Sequence, residues 1–413
     1  MSKGSQRSPA LPLLILILIV VGGIAVWVWR EKFVVPSARL ELTPVSFASL
    51  PGWAGTDARG ALAAFRRTCT SWANEPPTHA LGGAGYAGAV ADWDGVCANL
   101  PGGTVSEEAA RRYFESGFTP VMVGSGSDGL FTGYYEPEIH ASRRKHGAYA
   151  VPIYGVPDDL ITADLGLFRD DLKGDHVTGR VVGHTFVPYF NRADIDAHGL
   201  PHAPVLLYAN DPVQVFFLHI QGSGRMRFED GSFERLAYAG QNGRPYTPVG
   251  RTLISEGAID RSQMSMQAIR SWMQTHTDAA RNVMETDQSF VFFHTAPIGD
   301  PSLGSPGSEG LPLTPEASIA VDTRLHALGA PFYVAATAPD SDPAKPERTL
   351  DRVFIAQDTG GAIKGAARAD VFWGFGRDAE SVAGRMKSTG SFYVLLPKPV
   401  AARISPHTNY GAP

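Results

Sequence analysis

The sequence predicts a mainly β protein, with a barrel-like body that carries added helices and a second β unit in the middle of the chain. Three observations lead to this prediction. Glycine and proline are abundant, at 45 and 31 of 413 residues. Short apolar runs rich in β-branched and aromatic residues alternate with Gly, Pro, Asn and Asp, which is typical of strands joined by turns. Two groups of such runs are separated by a segment of helical periodicity.

The first residues predict a membrane anchor. Residues 11–29 read LPLLILILIVVGGIAVWVW, about the length that a helix needs to cross a bilayer. Lys3 and Arg7 precede this run, which favours a cytoplasmic amino terminus and an exported body. A cleaved signal peptide is the alternative, but VWVWREK lacks a small-residue cleavage site. We therefore expect an uncleaved anchor within residues 1–36.

The helices and strands follow from the hydrophobic periodicity. Helical spacing covers 56–74, 105–115, 265–274 and 279–285, and Ser106 is a suitable N-cap for the second of these. The middle of the chain shows strand-like runs at 118–123, 129–137, 148–157, 205–211 and 213–226. The last hundred residues contain further runs at 289–294, 317–322, 331–336, 352–358, 370–376 and 391–397. The segment 297–313 is a loop rich in Gly, Pro and Ser.

Charge and cysteine content exclude several classes of protein. The net charge is −5 and no basic tract stands out, so we expect no nucleic-acid partner. Cys69 and Cys97 are the two cysteines, and in an exported chain they predict a disulfide that closes a loop of about 30 residues. Two unpaired buried thiols are the alternative. Because neither a CxxC nor an HExxH spacing accompanies them, we predict no metal site.

Residues 356–374 read AQDTGGAIKGAARADVFWG, and this stretch holds the strongest candidate for catalysis. A phosphate-binding P-loop requires Ser or Thr after its lysine, whereas Gly365 follows Lys364. A calcium loop requires acidic residues at alternating positions. Asp358 also suits a glycine-rich turn between strands. Asp370 precedes Val-Phe-Trp, where loss of solvent would raise its pKa toward that of a general acid. Asp322 ends another strand-like run, so three aspartates at strand ends can converge.

These motifs resemble those of a known family. VDTRLHALGAPFYV followed by AQDTGGAIKGAARADVFWG is similar to the three-aspartate (3D) domain of the membrane-bound lytic murein transglycosylase A family. The other matching segments follow in the same order from 131 to 397: FTGYYEP, VPYFNRADI, FFLHIQGSGRM, YAGQNGRPYTPVG, SMQAIRSWM and SFVFFH.

The resemblance implies a fold and a reaction. The fold is a double-psi β-barrel domain of the barwin/expansin type, with an inserted second β-barrel domain and a groove between the two. We expect the main domain at 37–137 and 256–400, with its 3D region at about 312–400, and the insert at 138–255. The implied reaction cleaves the β-1,4 bond between N-acetylmuramic acid and N-acetylglucosamine in peptidoglycan and forms a 1,6-anhydro ring. It implies no cofactor and a periplasmic location in a Gram-negative bacterium. The best-known members of the family are lipoproteins tethered to the outer membrane, whereas the anchor predicted at 11–29 places this chain at the inner membrane.

The resemblance also implies roles for individual residues. Asp370 is expected to be the single acid and base, with Asp358 and Asp322 in support. The residues expected to bind the glycan are Thr132, Gly133, Tyr134, Glu136, Gln221, Gly222, Ser223, Gly224, Tyr238, Asn242, Gly360, Gly361 and Lys364. Two alternatives stay open: a hydrolase that pairs Asp370 with Glu136 or Asp358, and a glycan-binding module without catalysis. The sequence identifies no protein partner.

Overall fold

The computed structural model describes residues 40–172 and 174–405 and the backbone of 408–410. The predicted anchor at 11–29 lies outside these residues. Within the part of the chain that the structure describes, no helix is both long and apolar enough to cross a membrane.

The described strands are numbered in chain order. They are β1 Leu40–Pro44, β2 Phe118–Val123, β3 Gly129–Glu136, β4 Glu138–Ser142, β5 Val151–Tyr154, β6 Ile161–Asp164, β7 His176–Val182, β8 Thr185–Pro188, β9 Val205–Ala209, β10 Gly224–Arg227, β11 Phe233–Gln241, β12 Val291–Ala296, β13 Ser318–Val321, β14 Pro331–Ala338, β15 Arg348–Asp358, β16 Arg368–Phe375, β17 Lys387–Pro397 and β18 Thr408–Tyr410.

The described α-helices lie mainly between these strands. They are Arg59–Trp72, Asp94–Ala98, Glu107–Gly117, Arg192–His198, Pro212–Gln221, Val249–Ser255, Met266–Thr275, Thr277–Glu285, Gly376–Ala383 and Lys398–Ala401. Ser106 caps helix Glu107–Gly117, as predicted, because its hydroxyl accepts a hydrogen bond from the amide of Ala109.

Six strands close into a barrel in the order β14-β15-β13-β16-β3-β17, because β17 also pairs with β14. Two of the pairings, β13 with β15 and β16 with β3, are parallel. Closure leaves the barrel strands without free edges. Buried aromatic side chains, including Phe131, Phe332 and Phe392, fill its interior. The mainly β class is therefore confirmed, and β2, β1 and β18 extend the barrel sheet outward.

A second β unit interrupts the barrel between β3 and β13. Its six-stranded sheet has the order β12-β11-β10-β4-β9-β5, and β6, β7 and β8 form a separate three-stranded sheet. This confirms the inserted β unit. Because β12 belongs to the six-stranded sheet, that sheet reaches beyond residue 255. The limits 37–137, 138–255 and 256–400 stay a prediction.

One predicted strand is wrong. Residues 213–226 do not form a continuous strand: the first part is the helix Pro212–Gln221, and only Gly224–Arg227 is extended. Asp211 caps the helix by accepting the amides of Val213 and Gln214, and Pro212 stands in its first turn. This N-cap and proline pair is a helix start signal. It outweighs the strand preference of the Val and Phe residues that follow.

The predicted disulfide is confirmed. Cys69 and Cys97 are bonded, with their Cα atoms 5.5 Å apart. The bond joins helix Arg59–Trp72 to helix Asp94–Ala98, and both helices precede the first strand of the barrel proper. It therefore fastens the amino-terminal helices to each other before the barrel begins.

Candidate active site

Strand register brings two of the three predicted aspartates together. Ala320 of β13 is paired with Asp358 on β15 and with Asp370 on β16. Directly paired residues point to the same face of a sheet, so the two carboxyl groups flank one central strand on a common face. On the other side of β16, Thr132 of β3 is paired with Asp370. The site therefore lies on four adjacent strands of the barrel, in the order β15, β13, β16 and β3.

Asp370 is held through a single oxygen. The Thr132 hydroxyl donates to Asp370 Oδ1 at 2.6 Å, and the Arg368 guanidinium donates to the same hydroxyl oxygen at 2.7 Å. Two hydrogen bonds through the Thr132 hydroxyl thus connect Arg368 to the Asp370 carboxyl group. Among the described residues, none donates a hydrogen bond to Asp370 Oδ2. This oxygen is left available to a ligand.

The surroundings of Asp370 set its protonation. Burial raises the pKa of the Asp370 carboxyl, and the neighbouring charge of Asp358 raises it further. The Arg368 charge and the Thr132 hydrogen bond act in the opposite direction, but burial outweighs them. A half-buried carboxyl with a raised pKa is suited to donate a proton near neutral pH.

Asp358 is fully engaged with the protein. Its Oδ1 accepts from the Ser308 hydroxyl at 2.8 Å, the Ser308 amide at 3.0 Å and the Thr359 amide at 2.9 Å. Its Oδ2 accepts from the Tyr134 hydroxyl at 3.0 Å. Burial raises the pKa of Asp358, although these donors oppose the shift. The contacts fasten the 297–313 loop, which contains Ser308, to the site.

Asp322 holds the glycine-rich loop that joins β15 to β16. It is fully buried, and its Oδ2 accepts from the Gly365 amide at 2.8 Å and from Arg324 at 2.7 Å. Burial opposes ionisation of Asp322, but the hydrogen bonds from Arg324 and Gly365 outweigh it and lower its pKa. Gly365 has a φ of 119°, a backbone conformation open to glycine at little cost. Asp322 therefore acts on the loop and not on a substrate.

The other residues predicted in this loop are open to solvent or partly so. Gly361 and Lys364 are exposed and Gly360 is partly exposed. A Cβ atom added to Gly361 would meet no protein atom within 4 Å. The ion pairs of the described residues do not include Lys364. Their role in glycan binding stays a prediction.

The alternation of β3 separates its predicted site residues. Thr132 and Tyr134 share one face, which carries the contacts to Asp370 and Asp358. Gly133 points the other way, where an added Cβ atom would lie 2.7 Å from the Trp373 ring and 2.8 Å from Ala383 Cα. Gly133 therefore allows close packing between β3 and helix Gly376–Ala383. Its contact with the glycan stays a prediction.

Glu136 is fully buried and already paired with groups of the protein. Its Oε2 accepts from Arg225 at 3.0 Å and from Arg235 at 3.3 Å, and its Oε1 accepts from the Ser305 amide at 2.9 Å. These partners leave no surface for a glycan or for an attacking water. Glu136 instead ties β3 to the sheet of the inserted unit and to the 297–313 loop.

The predicted QGSG motif lies at the end of helix Pro212–Gln221. Gln221 accepts the amide of Tyr135 at 3.0 Å, and Gly222, with a φ of 78°, caps the helix in the left-handed conformation. Gly224 is buried, and an added Cβ atom would approach Leu218 and Pro137. These three residues stabilise the backbone where helix Pro212–Gln221 ends and β10 begins. Ser223 is partly exposed and stays a candidate for glycan binding.

Asn242 is engaged with the protein backbone, whereas Tyr238 is open to solvent and stays a candidate for glycan binding. Asn242 is fully buried, and its side-chain amide donates to the carbonyls of Phe190 and Gln288 at 2.9 and 2.8 Å. Its Oδ1 accepts the amide of Phe290 at 3.0 Å. With these bonds Asn242 joins the backbone segments around residues 190 and 288–290. Tyr238 is half exposed on β11.

Sequence reasoning missed three residues of the site. Arg368 and Ser308 contact Thr132 and Asp358 as described above. Burial raises the pKa of Tyr246 to about 12, and the charges on Asp287 and Asp370 contribute smaller effects. This effect of Asp370 indicates that Tyr246 lies near the site. A basic residue two positions before the catalytic candidate was a usable signal for Arg368. No local pattern marks Ser308 or Tyr246, because both depend on how separate loops pack.

Comparison with known proteins places this geometry in a family. The MltA specific insert domain matches residues 130–294, and the 3D domain matches residues 317–396. Membrane-bound lytic murein transglycosylase A of Escherichia coli (strain K12) is 33% identical over 279 residues, covering 66% of this chain and 67% of the relative. That of Vibrio cholerae serotype O1 is 31% identical over 270 residues, covering 64% and 65%.

Solved structures agree with the sequence matches. A membrane-bound lytic murein transglycosylase from Agrobacterium tumefaciens covers 88% of this chain and 99% of its own, at 31% identity and a TM-score of 0.77. E. coli MltA with bound chitohexaose covers 88% and 96%, at 27% identity and a TM-score of 0.63. The chain belongs to the membrane-bound lytic murein transglycosylase A family, which confirms the resemblance found in its motifs.

Proposed function

We propose that this protein is a lytic transglycosylase that cleaves the β-1,4 bond between N-acetylmuramic acid and N-acetylglucosamine in peptidoglycan, with Asp370 as the single acid and base. Membership of the family supports the reaction class. The arrangement of carboxyl groups around β16 supports the assignment of one residue to both proton transfers.

One observation carries this proposal. Four carboxyl groups were candidates, and three of them have both oxygens occupied by donors: Glu136, Asp322 and Asp358. Asp370 alone of these four keeps an oxygen without a donor among the described residues. An ordinary glycosidase needs a second carboxyl to activate water or to attack carbon. Within the described part of the chain, none of the other three candidates has a free carboxyl oxygen for that task.

The chemistry proceeds with one carboxyl because the substrate provides its own nucleophile. Protonated Asp370 donates its proton to the glycosidic oxygen as the bond from that oxygen to C1 of the muramic acid breaks. The Asp370 carboxylate then accepts the proton of the C6 hydroxyl, whose oxygen forms the new bond to C1. The products are a chain ending in 1,6-anhydro-N-acetylmuramic acid and a chain starting with N-acetylglucosamine. Asp370 ends the cycle protonated.

The environment of Asp370 suits both steps. Burial favours the protonated carboxyl before the reaction, and the Thr132 hydrogen bond and the Arg368 charge stabilise the carboxylate that forms during it. Asp358 and Asp322 hold the surrounding loops. We further propose that the exposed or partly exposed residues Ser223, Tyr238 and Lys364 contact the glycan, together with Gly360 and Gly361.

The location follows from the same reasoning. The relatives carry the name membrane-bound, and peptidoglycan lies in the periplasm. The apolar run at 11–29 would place the enzyme at the inner membrane by an uncleaved helix. Glycan strands are then the partner that the site meets directly.

Product analysis tests the function. The purified full-length protein in detergent is incubated with sacculi, and the released muropeptides are examined by mass spectrometry. We expect products that end in 1,6-anhydro-N-acetylmuramic acid. Reducing ends heavier by one water would show a hydrolase instead, and intact sacculi that retain the protein would show a glycan-binding module.

A further inference from the structure

The loop 359–367 joins β15 to β16. Three residues of the segment 321–326 hold it in place. The Thr359 hydroxyl donates to the Val321 carbonyl at 2.8 Å, and the Gly365 amide donates to Asp322 at 2.8 Å. His326 Nε2 lies 2.6 Å from the Ala366 carbonyl oxygen. The first two contacts come from the end of β13. The third comes from a histidine with no part in the mechanism above.

The partners of His326 determine which of its nitrogens carries the proton. A carbonyl oxygen only accepts, so Nε2 must be the N–H that donates to Ala366. Burial, opposed by the Ala366 contact and the Asp322 charge, lowers the pKa of His326 to about 4, so the ring is neutral near pH 7. Its Nδ1 is then an acceptor, and the Tyr86 hydroxyl lies 2.8 Å away as the donor.

Tyr86 reaches this histidine from outside the two segments that match the MltA insert domain and the 3D domain. It lies between helices Arg59–Trp72 and Asp94–Ala98, before both the 130–294 and the 317–396 matches. The chain beside it is fixed to the rest of the protein, since Trp93 Nε1 donates to the Ala87 carbonyl at 2.9 Å and the Ala84 amide donates to the Leu325 carbonyl at 3.1 Å. Tyr86 therefore approaches from a rigid support.

The ring of His326 has no freedom to move away. It is 1% exposed, and its edge contacts the rings of Phe332 and Phe392, with centroids 5.1 and 5.9 Å apart. A buried polar group in such an apolar setting is costly unless it is hydrogen-bonded. The pair of contacts to Tyr86 and Ala366 meets that requirement. It also fixes the orientation of the Ala366 peptide.

We propose that Tyr86 and His326 are positioning residues for the proton transfer of Asp370, an inference that rests on the proposed function. Ala366 stands two residues before Arg368, which contacts Thr132, and four before Asp370. The Ala367 carbonyl accepts the Leu130 amide at 2.9 Å, where β3 begins. A rotated Ala366 peptide would therefore shift Arg368 and the start of the β16–β3 pairing together. The amino-terminal helical region thereby contributes to catalysis without touching the glycan.

Three variants of the full-length protein test this proposal. In His326→Gln the amide nitrogen can take the place of Nε2 and still donate to Ala366, whereas the shorter side chain of His326→Asn reaches only the place of Nδ1. Tyr86→Phe removes one hydroxyl, and with it the contacts of that hydroxyl with His326 and with the backbone of Ala327. Because small displacements of reacting groups cost much rate, we expect kcat to fall about tenfold in His326→Asn and in Tyr86→Phe, with KM within about twofold. His326→Gln should keep kcat within about threefold of the wild type.

A second measurement is independent of catalysis. Hydrogen exchange of the amides at 360–367 should be faster in His326→Asn and Tyr86→Phe than in the wild type, and unchanged in His326→Gln. Exchange in β15 and β16 should stay the same in all three. This arm tests the loop even if Asp370→Asn proves active, so failure of the proposed function is distinguishable from failure of this inference.

Two results would overturn the inference. One is a Tyr86→Phe protein with wild-type kcat and wild-type exchange at 360–367. The other is a loss of activity that is equal in the Asn and Gln variants and follows their melting temperatures, since that pattern indicates a packing role alone. If His326→Asn does not fold, the comparison of Tyr86→Phe with the wild type decides.

Discussion

Thr132 and Asp370 face each other in register on the parallel strands β3 and β16, and the Thr132 hydroxyl donates to Asp370 Oδ1 at 2.6 Å. This bond orients the carboxyl group and leaves its second oxygen without a donor among the described residues, and the proposed mechanism uses that oxygen at the glycosidic bond. Thr132→Val keeps the shape and removes the bond. We expect kcat to fall about tenfold to a hundredfold in sacculus digestion, because the acid loses its orientation.

Thr132→Ser is the matched control for this prediction, since it keeps the hydroxyl. It should stay within about threefold of the wild type. Equal losses in the Val and Ser variants would indicate that the methyl group, and not the hydrogen bond, matters at this position.

Arg368 is expected to set the upper limit of the pH range in which the enzyme works. Its charge lowers the pKa of Asp370, in opposition to burial. Arg368→Met should therefore raise that pKa, so that the acid stays protonated to higher pH. The descending basic limb of the kcat–pH profile should move to higher pH. Arg368→Lys, which keeps the charge, should move it less, and a shift to lower pH in Arg368→Met would contradict this account.

Glu136 is expected to matter for stability and not for chemistry. Glu136→Gln leaves the guanidinium groups of Arg225 and Arg235 buried without a counter-charge. Removal of one partner from a buried ion pair costs about 3–5 kcal/mol of unfolding free energy. Equilibrium unfolding in guanidinium chloride measures this loss of unfolding free energy. The per-molecule activity of the fraction that stays folded should remain within about threefold of the wild type.

Glu138→Gln is the control for Glu136→Gln, because its pair with Arg227 lies on the surface. It should change the unfolding free energy by less than about 1 kcal/mol. A stable Glu136→Gln protein that lacks activity would revive the two-carboxyl hydrolase.

The Cys69–Cys97 bond should stabilise the amino-terminal helices. It closes a loop across a sequence separation of 28. In the chain-entropy model, a loop of that size contributes about 3–4 kcal/mol. The double variant Cys69→Ala with Cys97→Ala should lose stability of that order in denaturant unfolding. Addition of a reductant should lower the stability of the wild type and leave that of the double variant unchanged.

The barrel strands and the catalytic candidate could be predicted from the sequence. The strands β3, β13, β14, β15, β16 and β17 are dense in apolar residues and bounded by turns, so their local signal agrees with their place in the fold. Asp370 stood out because an acidic residue begins an apolar aromatic strand. Such a conflict between residue and setting often marks a functional position.

The partners of the site could not be predicted in the same way. The parallel pairing of β3 with β16 joins residues that lie far apart in the chain, and no local pattern encodes that register. Glu136 and Asn242 were expected to bind the glycan because they stand in motifs that resemble those of the family. The structure shows that both satisfy buried backbone or guanidinium groups. Burial of a polar residue depends on tertiary contacts, which single-sequence patterns do not contain.

Asp370→Asn removes the proposed acid with little change of shape, and its effect on folding has a defined sign. The folded-state pKa of Asp370 is raised by burial, so its contribution to stability is present at low pH and is lost as the pH rises through that pKa. At pH 7 the Asn variant should therefore melt at the same temperature as the wild type or slightly above it. Below the pKa of an unfolded aspartate, about 3.9, the two proteins should be equally stable.

The rate at which Asp370→Asn releases anhydro-ended muropeptides from sacculi tests the central claim most directly. The control is Asp342→Asn, which changes an exposed aspartate of a loop. We predict that this control variant has the wild-type rate. We predict a loss of at least about a thousandfold for Asp370→Asn, because both proton transfers depend on this carboxyl. A folded Asp370→Asn protein that still releases these products within about tenfold of the wild-type rate would contradict the assignment.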